Sequence, residues 1–186
     1  MATKAQIKFT YEDYKSLPYS ETERYELLGG ELVMVPSPDT EHQDIVGNLF
    51  RSLSDHVHKQ RLGKVYLAPL DVVLGERDEE EVVQPDILYI SHQRRGIITR
   101  EEIRGAPDLV VEVLSPSTAQ RDRALKKKLY ARHGVQEYWM VDPKAQTLEV
   151  YEWRPKGFER VGLYGAEQTL TSRLLPTLHI PLREIF

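Results

Sequence analysis

Glu112 interrupts the run Leu109-Val110-Val111-Glu112-Val113-Leu114, which is otherwise apolar. Such a run reads as a strand buried on both faces, where a carboxylate is costly unless a partner or a cation compensates it. Asp86 repeats the pattern within Val82-Val83-Gln84-Pro85-Asp86-Ile87-Leu88-Tyr89-Ile90. Two such acids on neighbouring strands would form a hard oxygen site of the kind Mg²⁺ prefers, completed by waters and phosphate oxygens of a substrate. Strand alternation puts Asp108, Val110, Glu112 and Leu114 on one face, which brings Asp108 to the same side as Glu112. Further along, Asp122, Lys126 and Tyr130 are spaced by four and share a helix face. An ammonium carried over the strand ends in this way could stabilise the charge of a pentavalent phosphorane or orient an attacking water.

Each of these residues also has a plainer reading. Glu112 could form a structural ion pair with Lys126 or an arginine. Asp86 and Asp108 each follow a proline, Pro85 and Pro107, a context that suits turns and caps. Lys126 lies among Arg121, Arg123, Lys127 and Lys128, and a charge run of this type is usually a solvated face. Only the combination points to chemistry.

The elements that must position these groups follow from periodicity. Thr10 to Leu17 carries the N-cap and acidic first turn of a short helix. Tyr25 to Val35 reads as two strands around Gly29-Gly30, which supply the positive φ a tight hairpin needs. Apolar Ile45, Val46, Leu49, Phe50, Leu53 and Val57 recur at threes and fours, predicting an amphipathic helix over 41–60. Strands are expected at 65–74 and 82–90, joined by a turn whose acidic run Asp78-Glu79-Glu80-Glu81 reads as a solvated hairpin tip. After a basic stretch at 91–104 come the 108–114 strand, a helix over about 119–133 capped by Ser117 or Thr118, and a strand at 138–141. Thr147 to Trp153 and Phe158 to Tyr164 form a further hairpin. The strand, helix, strand passage through 108–141 requires a parallel pair, so the fold class is α/β or α+β with a central mixed sheet flanked by helices and extra hairpins at both ends.

Composition narrows the function classes. The 186 residues suit a single domain over 1–186, with a core at about 41–143. Cysteine is absent, which excludes disulfides, thiolate catalysis and cysteine-ligated zinc. No Walker loop, dinucleotide fingerprint or Gly-x-Ser-x-Gly elbow occurs, and the six histidines show no metal-ligand spacing. A formal charge of −4 argues against coating nucleic acid by bulk electrostatics, although a local basic patch can still hold phosphates. The polar start and the lack of any run of about 20 apolar residues predict no membrane insertion and a cytoplasmic location.

The linked pieces Tyr25-Glu26-Leu27-Leu28-Gly29-Gly30-Glu31, His42, Gln84-Pro85-Asp86, Pro107 to Thr118, Lys126 and Gly134 to Pro143 resemble the bacterial Uma-two family from about residue 10 to the end. The resemblance implies a restriction-endonuclease-like fold of the PD-(D/E)xK superfamily and metal-dependent hydrolysis of phosphodiester bonds in nucleic acid, with DNA the expected substrate. It makes Asp86 the motif aspartate and Glu112 the second acid, both as ligands of Mg²⁺ or Mn²⁺. Leu114 stands where that motif has its lysine, and the resemblance moves the lysine's role to Lys126 on the following helix. Glu31, His42 and Asp108 are possible supporting residues. Cutting both strands takes two sites, so a homodimer or higher homo-oligomer is expected. The alternative is a catalytically silent nucleic-acid-binding or interaction module that retains the fold.

Overall fold

The computed structural model describes residues 8–18, 20, 23–115 and 122–186. Helix α1 (Tyr11–Lys15) opens on a capping box between Thr10 and Asp13. Strands β1 (Arg24–Leu28) and β2 (Glu31–Val35) form the expected hairpin, with Gly29 and Gly30 at φ of 60° and 84°. Helix α2 (Thr40–Gln60) is capped by Asp39, whose side chain accepts from the His42 N–H, and buries Ile45, Val46, Leu49, Leu53 and Val57.

The expected strand at 65–74 is two strands, β3 (Gly63–Leu67) and β4 (Val72–Leu74). The one at 82–90 is likewise β5 (Glu81–Val83) and β6 (Ile87–Ser91). Both breaks fall at a proline, Pro69 and Pro85, which cannot donate to a ladder and so ends the pairing on each side. At each break the chain passes from one sheet to the other. Strands β4 and β5 pair with each other, with β1 and with β7 (Ile103–Arg104) in a five-stranded sheet of order β2-β1-β5-β4-β7.

The six-stranded sheet contains β8 (Leu109–Val113), β9 (Glu137–Asp142), β10 (Thr147–Arg154) and β11 (Gly157–Gly165), in the order β11-β10-β9-β8-β6-β3. Within it β8 and β9 are parallel and the other pairs antiparallel, so the fold is α+β with a central mixed sheet, as expected. Between β8 and β9 lie a π-helical segment, Asp122–Lys126, and helix α3 (Lys127–Arg132). The start of the helix expected over 119–133 and its cap fall at 116–121, outside the described residues. The tail adds the small pair β12 (Thr169–Thr171) and β13 (His179–Pro181).

Alternation assigns the two faces of the central sheet. Ile87, Tyr89, Leu109, Val111 and Val113 face α2 and the C-terminal tail. Leu88, Ile90, Val110, Leu114, Tyr138 and Met140 face the five-stranded sheet and α3. Glu112, between Val111 and Val113 in β8, therefore belongs to the side shared by both sheets, and that is where its partners lie. No described helix is long and apolar enough to cross a membrane.

Candidate active site

Asp86 sits in the gap between β5 and β6, where the chain changes sheets, and not within a strand as its apolar neighbours suggested. Its Oδ2 accepts the Val113 N–H at 2.8 Å, so a side chain takes over from a neighbouring strand at the end of β8. His42, in the first turn of α2, reaches the same place. Its Nε2 stands 3.3 Å from Asp86 Oδ2 and 3.1 Å from the Val113 carbonyl oxygen. Burial works against the imidazolium, but the Asp86 carboxylate and the Val113 carbonyl outweigh it and raise the His42 pKa above its ordinary value.

Glu112 is 4% exposed, and its Oε1 accepts from Lys126 Nζ at 3.1 Å and from the Tyr130 hydroxyl at 2.6 Å. The spacing of four that placed Lys126 and Tyr130 on one helix face thus brings both onto one carboxylate. Burial and the Glu112 charge push the Tyr130 phenol well up, so it remains a donor. Leu114, at the expected lysine position, is buried among apolar neighbours. The Lys126 ammonium stands beside Glu112 in its stead, delivered across the π-helical segment.

The sequence reading missed Glu26. It is fully buried in β1, and its Oε1 lies 2.9 Å from Lys126 Nζ and accepts the Gln84 N–H at 3.0 Å. Its Oε2 is buried with no hydrogen-bond partner among the described residues. The signal that singled out Glu112, a lone acid in an apolar strand, is present in Tyr25-Glu26-Leu27-Leu28 as well.

Two expected supporting residues lie elsewhere. Asp108, at the far end of β8, accepts the Ser91 N–H at 2.7 Å and lies 3.6 Å from Arg94. Glu31 is exposed at the hairpin turn, opposite Leu28, whereas the other end of that hairpin, Arg24 and Val35, borders the site. The acidic run is only partly a solvated tip: Glu81 is buried in β5 and bonds the Gly29 N–H, Arg132 and His133.

Asp86, Glu112, Lys126 and His42 line one open cleft of about 360 Å³, with Arg24 and Gln84 on its walls. Among the described residues no three acids or histidines gather closely enough to form a ready-made metal cage. The cleft does offer two carboxylates and the Val113 carbonyl, an all-oxygen set that suits a hard cation keeping several waters.

Comparison with known proteins bears on the family and the fold. The profile of the Uma2 (Uma-two) family, described as "Putative restriction endonuclease", matches residues 11–183. Two uncharacterized proteins of Synechocystis sp. are similar in sequence. One, sll1609, is 24% identical over 144 residues, 77% of this chain and 80% of the relative. The other, slr1290, is 25% identical over 151 residues, 81% of this chain and 77% of the relative. The crystal structure of a protein from Anabaena variabilis ATCC 29413, described as "a putative nuclease", superposes with a TM-score of 0.78 at 24% identity. The superposition covers 96% of this chain and 97% of that one.

Proposed function

Because the chain belongs to the Uma2 family of restriction-endonuclease-like proteins, we propose that it is a divalent-metal-dependent nuclease hydrolysing phosphodiester bonds of DNA at the cleft holding Asp86, Glu112 and Lys126. The observation that carries this reading is the convergence of two carboxylates from different elements on one solvent-open cleft, with a buried ammonium against one of them. Asp86 and Glu112, with the Val113 carbonyl, would hold Mg²⁺ or Mn²⁺. Bound there, the ion supplies Lewis-acid stabilisation of the transferring phosphoryl group and acidifies water.

The protein's own groups do the positioning. Tyr130 and Lys126 fix the rotamer of Glu112, while the Val113 N–H and His42 fix Asp86. Lys126 places a positive charge where negative charge develops on the phosphorane, and Arg24 on the cleft wall is placed to receive a flanking phosphate. A homodimer would bring two clefts to the two strands of a duplex. The outer strand β11, with Val161 and Leu163 exposed, offers a surface for it.

The test is Mg²⁺- or Mn²⁺-dependent cleavage of plasmid and single-stranded DNA by wild type, Asp86→Asn and Glu112→Gln. The variants should lose at least about 100-fold in rate, the usual scale for removing an electrostatic catalytic contact. Cleavage that survives both substitutions would sink the assignment.

One observation favours a second reading, a silent module that keeps the fold. Lys126 already lies between Glu26 and Glu112 and offsets part of their charge without a metal. Calorimetric titration decides between them. Metal binding that disappears in Asp86→Asn supports the nuclease, and its absence in wild type supports the module.

A further inference from the structure

A second depression lies at the opposite end of β3 and β6 from the cleft. It measures about 810 Å³, and its lining includes His58, Arg61, Lys64, Tyr66, His92 and Arg95. No acidic residue lines it, in a chain of formal charge −4. The five basic side chains are all exposed. Arg61, Lys64 and Arg95 form no ion pair among the described residues, whereas neighbouring Arg94 is engaged with Asp108. The cations come from three separate elements, the end of α2, the edge strand β3 and the 3₁₀ turn His92–Ile97.

The backbone beneath Arg61 is an independent sign that its side chain matters. Arg61 adopts φ 55°, ψ 41° at the end of α2, in a Schellman arrangement. Its N–H donates to the His58 carbonyl and the Leu62 N–H to the Val57 carbonyl. Glycine is the favoured residue there, because a Cβ is strained in the left-handed region. Strain of this kind tends to be retained where the side chain has a use. The turn is also held rigidly, since the Leu62 carbonyl accepts from both the His92 N–H and the Tyr89 hydroxyl.

Edge strand β3 connects the two depressions, with Lys64 lining the basic groove and Ala68, just past the strand, lining the cleft. Four residues of strand span about 13 Å. Measured along the axis of a duplex, that is about four base-pair steps at roughly 3.4 Å each. We propose that the basic groove of His58, Arg61, Lys64, His92 and Arg95 docks the phosphate backbone of a nucleic-acid duplex about four base-pair steps along its axis from the phosphate seated in the cleft. The placement relative to the cut rests on the nuclease reading; the groove's affinity for the backbone does not.

The experiment is fluorescence anisotropy with a labelled duplex of about 20 base pairs, two helical turns, in EDTA over a salt series. The triple variant Arg61→Gln, Lys64→Gln, Arg95→Gln should raise Kd at least about 10-fold and flatten the plot of log K against log salt by about 2–3 in slope, near 0.9 for each phosphate no longer neutralised. Arg61→Gly alone should flatten it by about 1. Because that change installs the residue its backbone prefers, weaker binding cannot be put down to misfolding. Three results overturn the proposal: no binding by wild type, an unchanged Kd and slope in both variants, or equal displacement by poly-glutamate, which would assign the groove to an acidic protein. Binding that weakens as expected in a protein that never cuts DNA would keep the groove and remove the nuclease reading.

Discussion

Lys126 is 5% exposed, with Glu26 and Glu112 within 3.1 Å of its ammonium. Desolvating three charges is costly, and the arrangement is tolerable only while the cation stays between the acids. Lys126→Met in metal-free buffer should therefore cost about 3–5 kcal/mol in urea unfolding at pH 7, the range for stripping one partner from a buried pair. Adding Glu26→Gln and Glu112→Gln should return most of the loss. A Lys126→Met penalty under about 1 kcal/mol, the value of an exposed pair, would show that the acids do not depend on the ammonium. At this scale the sequence was legible wherever an acid stood alone among apolar residues, as at Glu112 and Asp86. The same rule applied to Glu26 would have found it, but its strand was read only as half a hairpin. Asp108 misled for a different reason. Alternation fixes which face a residue occupies and says nothing of its height along the strand. Four residues of β8 place Asp108 about 13 Å from Glu112, too far to share a ligand.

Among the elements, α3 is fastened to the five-stranded sheet by Glu81. Its carboxylate takes the Gly29 N–H of the β1–β2 turn together with Arg132 and His133 at the end of the helix. Burial opposes the charged form of Glu81, yet His133, the Gly29 N–H and Arg132 outweigh it and hold its pKa below the ordinary carboxylate range. A carboxylate depressed in the folded state adds stability above its unfolded pKa and gives it up as pH falls through the folded one. Glu81→Gln is thus expected to cost about 1–2 kcal/mol at pH 7. The gap from wild type should close below about pH 4, as the wild-type carboxyl protonates. A gap that is constant from pH 7 to the acid limit would mean that Glu81 acts through shape alone. Periodicity revealed α2 and the parallel β8–β9 pair because each has a long, uniform apolar pattern. It could not reveal that β3–β4 and β5–β6 change sheets, since a strand buried in either sheet carries the same residue types. Pro69 and Pro85 were the only marks of the change.

In the whole molecule, the cleft and the basic groove lie at opposite ends of one edge strand, so an acidic chain still presents a local patch of positive charge at the groove. The two sheets are stitched together by those same sheet changes, each made within three or four residues at 68–71 and 84–86. The two sheets are expected to open together, because beside those connections they share one apolar cluster, Val72, Leu74 and Val83 packing with Leu88, Val110 and Tyr138. Deuterium uptake should show this directly. The amides of Val82 and Val73 in one sheet and of Leu88 and Val110 in the other are expected to have the same protection, set by one global opening. Separate protection levels for the two sets would reveal two foldons. If protection is shared, the gap that holds Asp86 is a seam where both sheets must yield at once, and a cation or substrate bound there would slow exchange in residues far from any contact with it.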